Sequence, residues 1–115
     1  MTLDEFREQF ETWWANTDAQ EMARKNSQGA LLDLMALYER FDNAERPMAD
    51  QVLSEWVASD NERKRFDAIA MIDRFRIRSA VPNLKALEAS VEKRVDHEAP
   101  HELAKLKMVL DGLLD

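Results

Sequence analysis

The chain has 115 residues, enough for one domain with one core, and its 34% charged and 45% hydrophobic content is that of a globular rather than a disordered protein. It contains no cysteine, which excludes disulfides, thiolate-ligated metal and thiol catalysis. Its net charge of −7, with a pI near 4.9, opposes a phosphate backbone and suits solubility or attraction to a basic protein partner.

Only two glycines and three prolines punctuate the chain, which favours long helices over turn-rich sheets. The opening residues Met1-Thr2-Leu3-Asp4-Glu5 lack the basic-then-apolar pattern of a signal peptide. Apolar runs are only a few residues long, far short of the roughly 20 needed to cross a bilayer. No membrane association and a cytoplasmic location are expected.

Thr2 and Glu5 have capping-box spacing, and Leu3, Phe6, Phe10, Trp13 and Trp14 then recur at helical intervals. A first helix is predicted over about Leu3 to Ala15, with its aromatic stripe facing the core or docking a partner. Thr17 to Asn26 is mostly polar, and Thr17 with Gln20 has the spacing to cap a separate short helix before the break at Ser27 to Gly29. Ala30 to Phe41 reads as a strong helix with Leu31, Leu34, Met35, Tyr38 and Phe41 on one face. After a connection from Asp42 to Pro47, the next helix runs to about Ala58, with Met48, Val52, Leu53, Trp56 and Val57 apolar and Asp50, Gln51, Ser54 and Glu55 opposite.

Ser59 and Glu62 repeat the capping-box spacing, which starts another helix near Asp60. Phe66, Ala68, Ile69, Ala70, Met71, Ile72 and Phe75 cover most of its circumference. A short link follows, and Ser79 is expected to cap a helix that carries Pro82 in its first turn and Val81, Leu84, Leu87 and Val91 as its stripe. Pro100 marks the start of the last helix, with Leu103, Leu106, Val109, Leu110 and Leu113 apolar. No segment alternates with the period of a strand. Short links between helices imply antiparallel neighbours, so the expected architecture is all-α, a stack of five to six helices in antiparallel hairpins.

Asp60, Arg65, Ala68, Ile72 and Phe75, followed by Ala80, Val81, Pro82 and Leu84, resemble a HEAT repeat, the helical hairpin of α-solenoids. The similarity is best over residues 60–91, with half-matches on both sides. Phe66 and Asp67 depart from the family pattern, and the first 30 residues lie outside it. The resemblance implies a short HEAT-like domain spanning 1–115 and a protein-binding role, since such repeats are scaffolds far more often than enzymes. In size, charge and character the chain also resembles small acidic immunity proteins that neutralise bacterial toxins, without a diagnostic motif. Second helices of HEAT hairpins usually line the concave side. By that resemblance the candidate binding residues are Asp50, Gln51, Ser54 and Glu55 on one helix and Asn83, Lys85 and Glu88 on the next.

Three chemical alternatives are weaker. His97-Glu98-Ala99-Pro100-His101 has the spacing of a zinc protease motif, but Pro100 cannot sit inside the continuous helix that would put both histidines on one face. Arg63, Lys64, Arg65, Arg74, Arg76 and Arg78 concentrate positive charge, yet nearby Glu62, Asp67 and Asp73 offer ion-pair partners. The pairs Glu39 with Asp42 and Asp50 with Glu55 have nothing to arrange them around a cleft. The expectation is therefore a non-catalytic protein-binding module without cofactor or metal, a monomer or weak homodimer. The alternative is an adaptor that self-associates through Phe6, Phe10, Trp13 and Trp14.

Overall fold

The computed structural model describes residues 1–115. The chain is all-α, with six helices and no strand: α1 (Leu3–Ala23), α2 (Leu31–Arg40), α3 (Glu45–Trp56), α4 (Glu62–Phe75), α5 (Val81–Glu92) and α6 (Ala99–Leu114). A short 3-10 turn, Arg78–Ala80, precedes α5. Two compact units divide the chain, Met1–Val52 and Leu53–Asp115, and the division falls within α3.

In the first unit, α1 opens with the expected capping box. The Thr2 hydroxyl accepts the Glu5 N–H at 3.1 Å, and the Glu5 carboxylate accepts the Thr2 N–H at 3.3 Å. The helix does not stop at Ala15, however, and no separate helix starts at Thr17. The buried positions Phe6, Phe10, Trp14 and Asp18 continue at strict i, i+4 spacing, so one face stays covered for more than three turns. A polar residue occupies the last of these positions, which is why apolar periodicity ends the helix too early. Asp18 is buried beneath the backbone of Gly29: a Cβ at position 29 would lie 2.5 Å from its Oδ1.

The end of α1 is a Schellman motif. Lys25 takes the left-handed conformation (φ 60°), Asn26 N–H donates to the Glu21 carbonyl at 2.9 Å, and Lys25 N–H to the Met22 carbonyl at 3.0 Å. The segment from Asp42 to Pro47 contains a second capping box rather than a plain connection. Asp42 accepts from Glu45 N–H at 2.8 Å while Glu45 accepts from Asp42 N–H at 3.0 Å, and these bonds start α3. Four aromatic rings meet at the end of α2: Phe41 lies 5.4 Å from Phe6, 5.8 Å from Phe10 and 6.2 Å from Tyr38, in edge-on geometries.

In the second unit α4 is capped by Asn61, whose Oδ1 accepts the Lys64 N–H at 3.2 Å. Ser59, expected to be the cap, sits two residues earlier and accepts from the Asn61 N–H instead. The end of α4 again uses a left-handed residue that is not glycine, Arg76 (φ 52°), and the Ile77 N–H reaches back to the Ile72 carbonyl at 3.0 Å. Ile72 and Ile77 are both buried. Ser79 belongs to the 3-10 turn, and α5 starts at Val81 without a side-chain cap but with Pro82 in its first turn. Pro100 opens α6 in the same way. The backbone of α6 runs near that of α5, and α4 also nears α6. Val57, Ile69, Met71, Ile72, Leu84, Val91 and Leu106 are the most completely covered large side chains of this unit outside α3.

Opposite effects are expected at two left-handed positions. Gly29→Ala should destabilise by about 2 kcal/mol or more, because it adds both backbone strain and a clash with Asp18. Lys25→Gly should stabilise by roughly 1 kcal/mol by removing that strain at an exposed cap. Urea unfolding of the two variants checks both signs.

Candidate functional site

Two of the nominated binding residues lie on the part of α3 that belongs to the first unit. Gln51 is exposed. Asp50 is half-buried and accepts a 2.8 Å hydrogen bond from the Tyr38 hydroxyl, whose ring lies 5.5 Å from the Arg46 guanidinium. Burial pushes the Asp50 carboxyl above its ordinary value, opposed by the Tyr38 hydrogen bond and the Arg46 charge. Burial, and then Asp50 itself, push the Tyr38 hydroxyl up as well. Asp50 is thus engaged in an internal pair instead of being displayed.

The other five lie in the second unit. Ser54, expected on the polar face, is buried at 3% exposure, so it forms no part of a displayed surface. The covered face of α3 is wider than its sequence suggests: Leu53, Ser54 and Trp56 are all covered, as is Val57 just beyond its end. Glu55, Asn83 and Glu88 are partly exposed and Lys85 is exposed. Of the three on α5, Asn83 lines a cleft of about 350 Å³, which also reaches Ser59, Arg65, Leu87 and Arg94. Lys85 and Glu88 lie outside it.

A charge ladder flanks that cleft. Glu102, in the first turn of α6, receives Arg65 from α4 at 3.3 Å through one oxygen and Arg94 at 2.6 Å through the other. Arg65 also donates to the Ser59 carbonyl at 3.0 Å, tying the link before α4 to the helix. Arg94 continues to Asp96 with two hydrogen bonds of 2.8 and 2.7 Å. Those bonds hold the Asp96 carboxyl down to about 2 and raise the Arg94 guanidinium above its usual range. Other cations of the arginine-rich segment are also engaged within the unit. Lys64 sits 4.9 Å over the Trp56 ring, Arg74 lies 6.0 Å from the Phe75 ring, and Arg76 donates to the Gly112 carbonyl at 2.7 Å.

His97 precedes α6 and His101 lies within it, so the pair does not share a helical face. No group of three or more histidine or carboxylate side chains is placed to hold a metal ion. No helix is long and apolar enough to cross a membrane.

The first unit contains a site that apolar periodicity treats only as core. Phe6 and Phe10 are the buried floor of a groove of about 260 Å³, walled by the half-buried Trp13, Leu37 and Phe41 and edged by Glu45. Beside it on α1 lies a polar cleft of about 500 Å³ lined by Glu5, Glu8, Thr12 and Asn16. Gln9 and Trp13 border both. The stripe Phe6, Phe10, Trp13 was visible in sequence; that Phe41 and Leu37 would complete a groove was not, because it depends on α2 lying alongside. Phe6, Phe10 and Trp14 are each at most 5% exposed, so of the four aromatic residues of α1 Trp13 is the most open.

The chain matches no protein-family model, no curated protein and no solved structure.

The two perturbed aspartates should titrate apart in carboxyl-detected NMR, Asp96 near 2 and Asp50 above the usual aspartate range. Because the folded value of Asp96 is depressed, its contribution to stability is present above about pH 4 and is lost as pH falls toward 2. Asp50 has the opposite sign: its contribution is present in acid and is lost as pH rises through its raised folded value. Arg94→Ala should return Asp96 toward 4, and Tyr38→Phe should raise Asp50 further. Glu102→Ala leaves two arginines without their shared partner and should cost about 2 kcal/mol in urea unfolding, whereas Glu98→Ala, on the exposed residue before α6, should cost less than about 0.5 kcal/mol.

Proposed function

We propose that this chain is a non-catalytic protein-binding module whose partner is basic. The observation that carries this is the distribution of charge between the units. Met1–Val52 holds eleven carboxylates against five lysines and arginines, a balance of −6, whereas Leu53–Asp115 holds twelve against eleven, a balance of −1. A solubilising charge has no reason to gather on one unit, while a charge that steers a cationic protein does. The engagement of Lys64, Arg65, Arg74, Arg76 and Arg94 with internal partners leaves less positive charge for a phosphate backbone, which supports a protein partner over nucleic acid.

In its sharpest form, drawn from the resemblance to small acidic immunity proteins, the partner is a basic toxin domain that the chain neutralises by direct binding. The HEAT-like reading of α4 and α5 supplies a scaffold for such a role. It is supported by Asp60 in the link before α4, Arg65 bonded back to Ser59, and Pro82 opening α5. The adaptor reading draws less support, since three of the four aromatic residues it relies on are interior.

Co-expression with the product of the neighbouring gene, followed by calorimetry, tests the function. A stable complex with a basic protein is expected, and its affinity should fall at least tenfold between about 50 and 500 mM salt as exposed charges are screened. A partner that is acidic, or one whose affinity does not change with salt, overturns the proposal.

A further inference from the structure

Resting on that reading, we infer that the partner docks on the aromatic groove of the first unit, inserting one or two apolar side chains from a cationic amphipathic helix. Three observations single out this place. First, the groove is apolar and small. At about 260 Å³ it sits at the lower end of small-molecule sites, and its floor is the two rings of Phe6 and Phe10, with Gln9 and Glu45 at its edge. It fits the anchor residues of a docked segment.

Second, the charged side chains around it have one sign, although the amino-terminal Met1 also lines the groove. Three carboxylates, Glu5, Glu8 and Glu45, line the groove and the adjoining cleft, and no lysine or arginine lines either. The clefts of the second unit differ in this respect: each of the three has at least one arginine in its wall. Two of the three rim carboxylates are fixed in place by helix capping, Glu5 through Thr2 and Glu45 through Asp42. A cation meeting them finds an acceptor already ordered, which lowers the entropic cost of binding.

Third, the groove and the polar cleft share Gln9 and Trp13, so apolar and acidic surfaces adjoin along one face of α1. An amphipathic segment has the matching arrangement, with apolar anchors on one side and lysine or arginine beside them. Trp13 between the two accommodates both, an aliphatic side chain against its edge and a cation over its face. A second copy of this chain is disfavoured as the occupant, because it would bring the same three carboxylates against themselves.

Three synthetic peptides of about five helical turns serve as probes in nitrogen-15 NMR titrations: a lysine/leucine amphipathic helix, a lysine/serine peptide of equal charge, and a glutamate/leucine helix. The lysine/leucine helix is expected to shift the Trp13 indole N–H and the amides of Gln9 and Leu37. It should bind at least about tenfold more tightly than the lysine/serine peptide, while the glutamate/leucine helix leaves the spectrum unchanged. Glu8→Lys and Gln9→Lys, both on exposed positions of α1, should each weaken binding about fivefold or more. Trp13→Ala, with folding verified by its melting curve, should weaken it about tenfold. Glu88→Lys on α5 should change it less than about twofold. Shifts confined to the second unit, or loss of binding on Glu88→Lys and not on Glu8→Lys, overturn the groove as the site while leaving the protein-binding role standing. Equal binding of the lysine/leucine and lysine/serine peptides removes the anchor, and no binding by any of the three overturns the inference.

Discussion

Phe41 follows the last residue of α2, in an extended conformation that ends the helix, and its ring is met by Phe6 and Phe10 from α1 and by Tyr38 from the turn before it. Burying large aromatic surface is the strongest single source of stability available to about fifty residues, and edge-on ring pairs add roughly 0.5–1.5 kcal/mol each. Yet Phe41 is not itself fully covered. One side of the ring belongs to the interior of the unit, and the other forms a wall of the open groove. The residue that gathers the helices therefore also creates the surface to which a function is assigned, and the two roles are not separable by mutation.

The second unit is organised differently. Its aliphatic core is conventional, and its distinguishing feature is how it treats positive charge. Glu102 serves two arginines from different parts of the chain, and Arg94 is shared onward with Asp96. A carboxylate that accepts from both neighbours through separate oxygens gives each arginine a defined direction, which a lone surface pair does not. By composition the second unit is nearly neutral, at −1, whereas the first carries −6.

Helix positions were largely legible because apolar periodicity is strong from Ala30 onward. What was not legible follows from particular residues. Asp18 is polar, so the stripe Phe6, Phe10, Trp14 looks finished at Ala15 although the helix runs to Ala23. Ser59 and Asn61 both have capping chemistry, and only the backbone decides that Asn61 caps while Ser59 bonds to it. The Asp42 and Glu45 box had a clear spacing signal that was hidden by the polar run around it. Ser54 shows the limit of helical-wheel reasoning: a serine beside Leu53 and Val57 is assigned to the outer face by its hydroxyl, and packing assigns it inside. The groove could not be read at all, since a concavity belongs to two helices and a sequence presents them one at a time.

The three tryptophans occupy three distinct environments. Trp14 is interior, Trp56 is buried with Lys64 over its ring, and Trp13 alone is half-open beside the rim carboxylates. Emission from this chain thus contains one component that solvent ions can reach, and the local field makes that access depend on the sign of the ion. Caesium is drawn toward Trp13 and iodide is held away from it, so the ratio of quenching by the two ions reads the electrostatic potential at the groove directly, without any label.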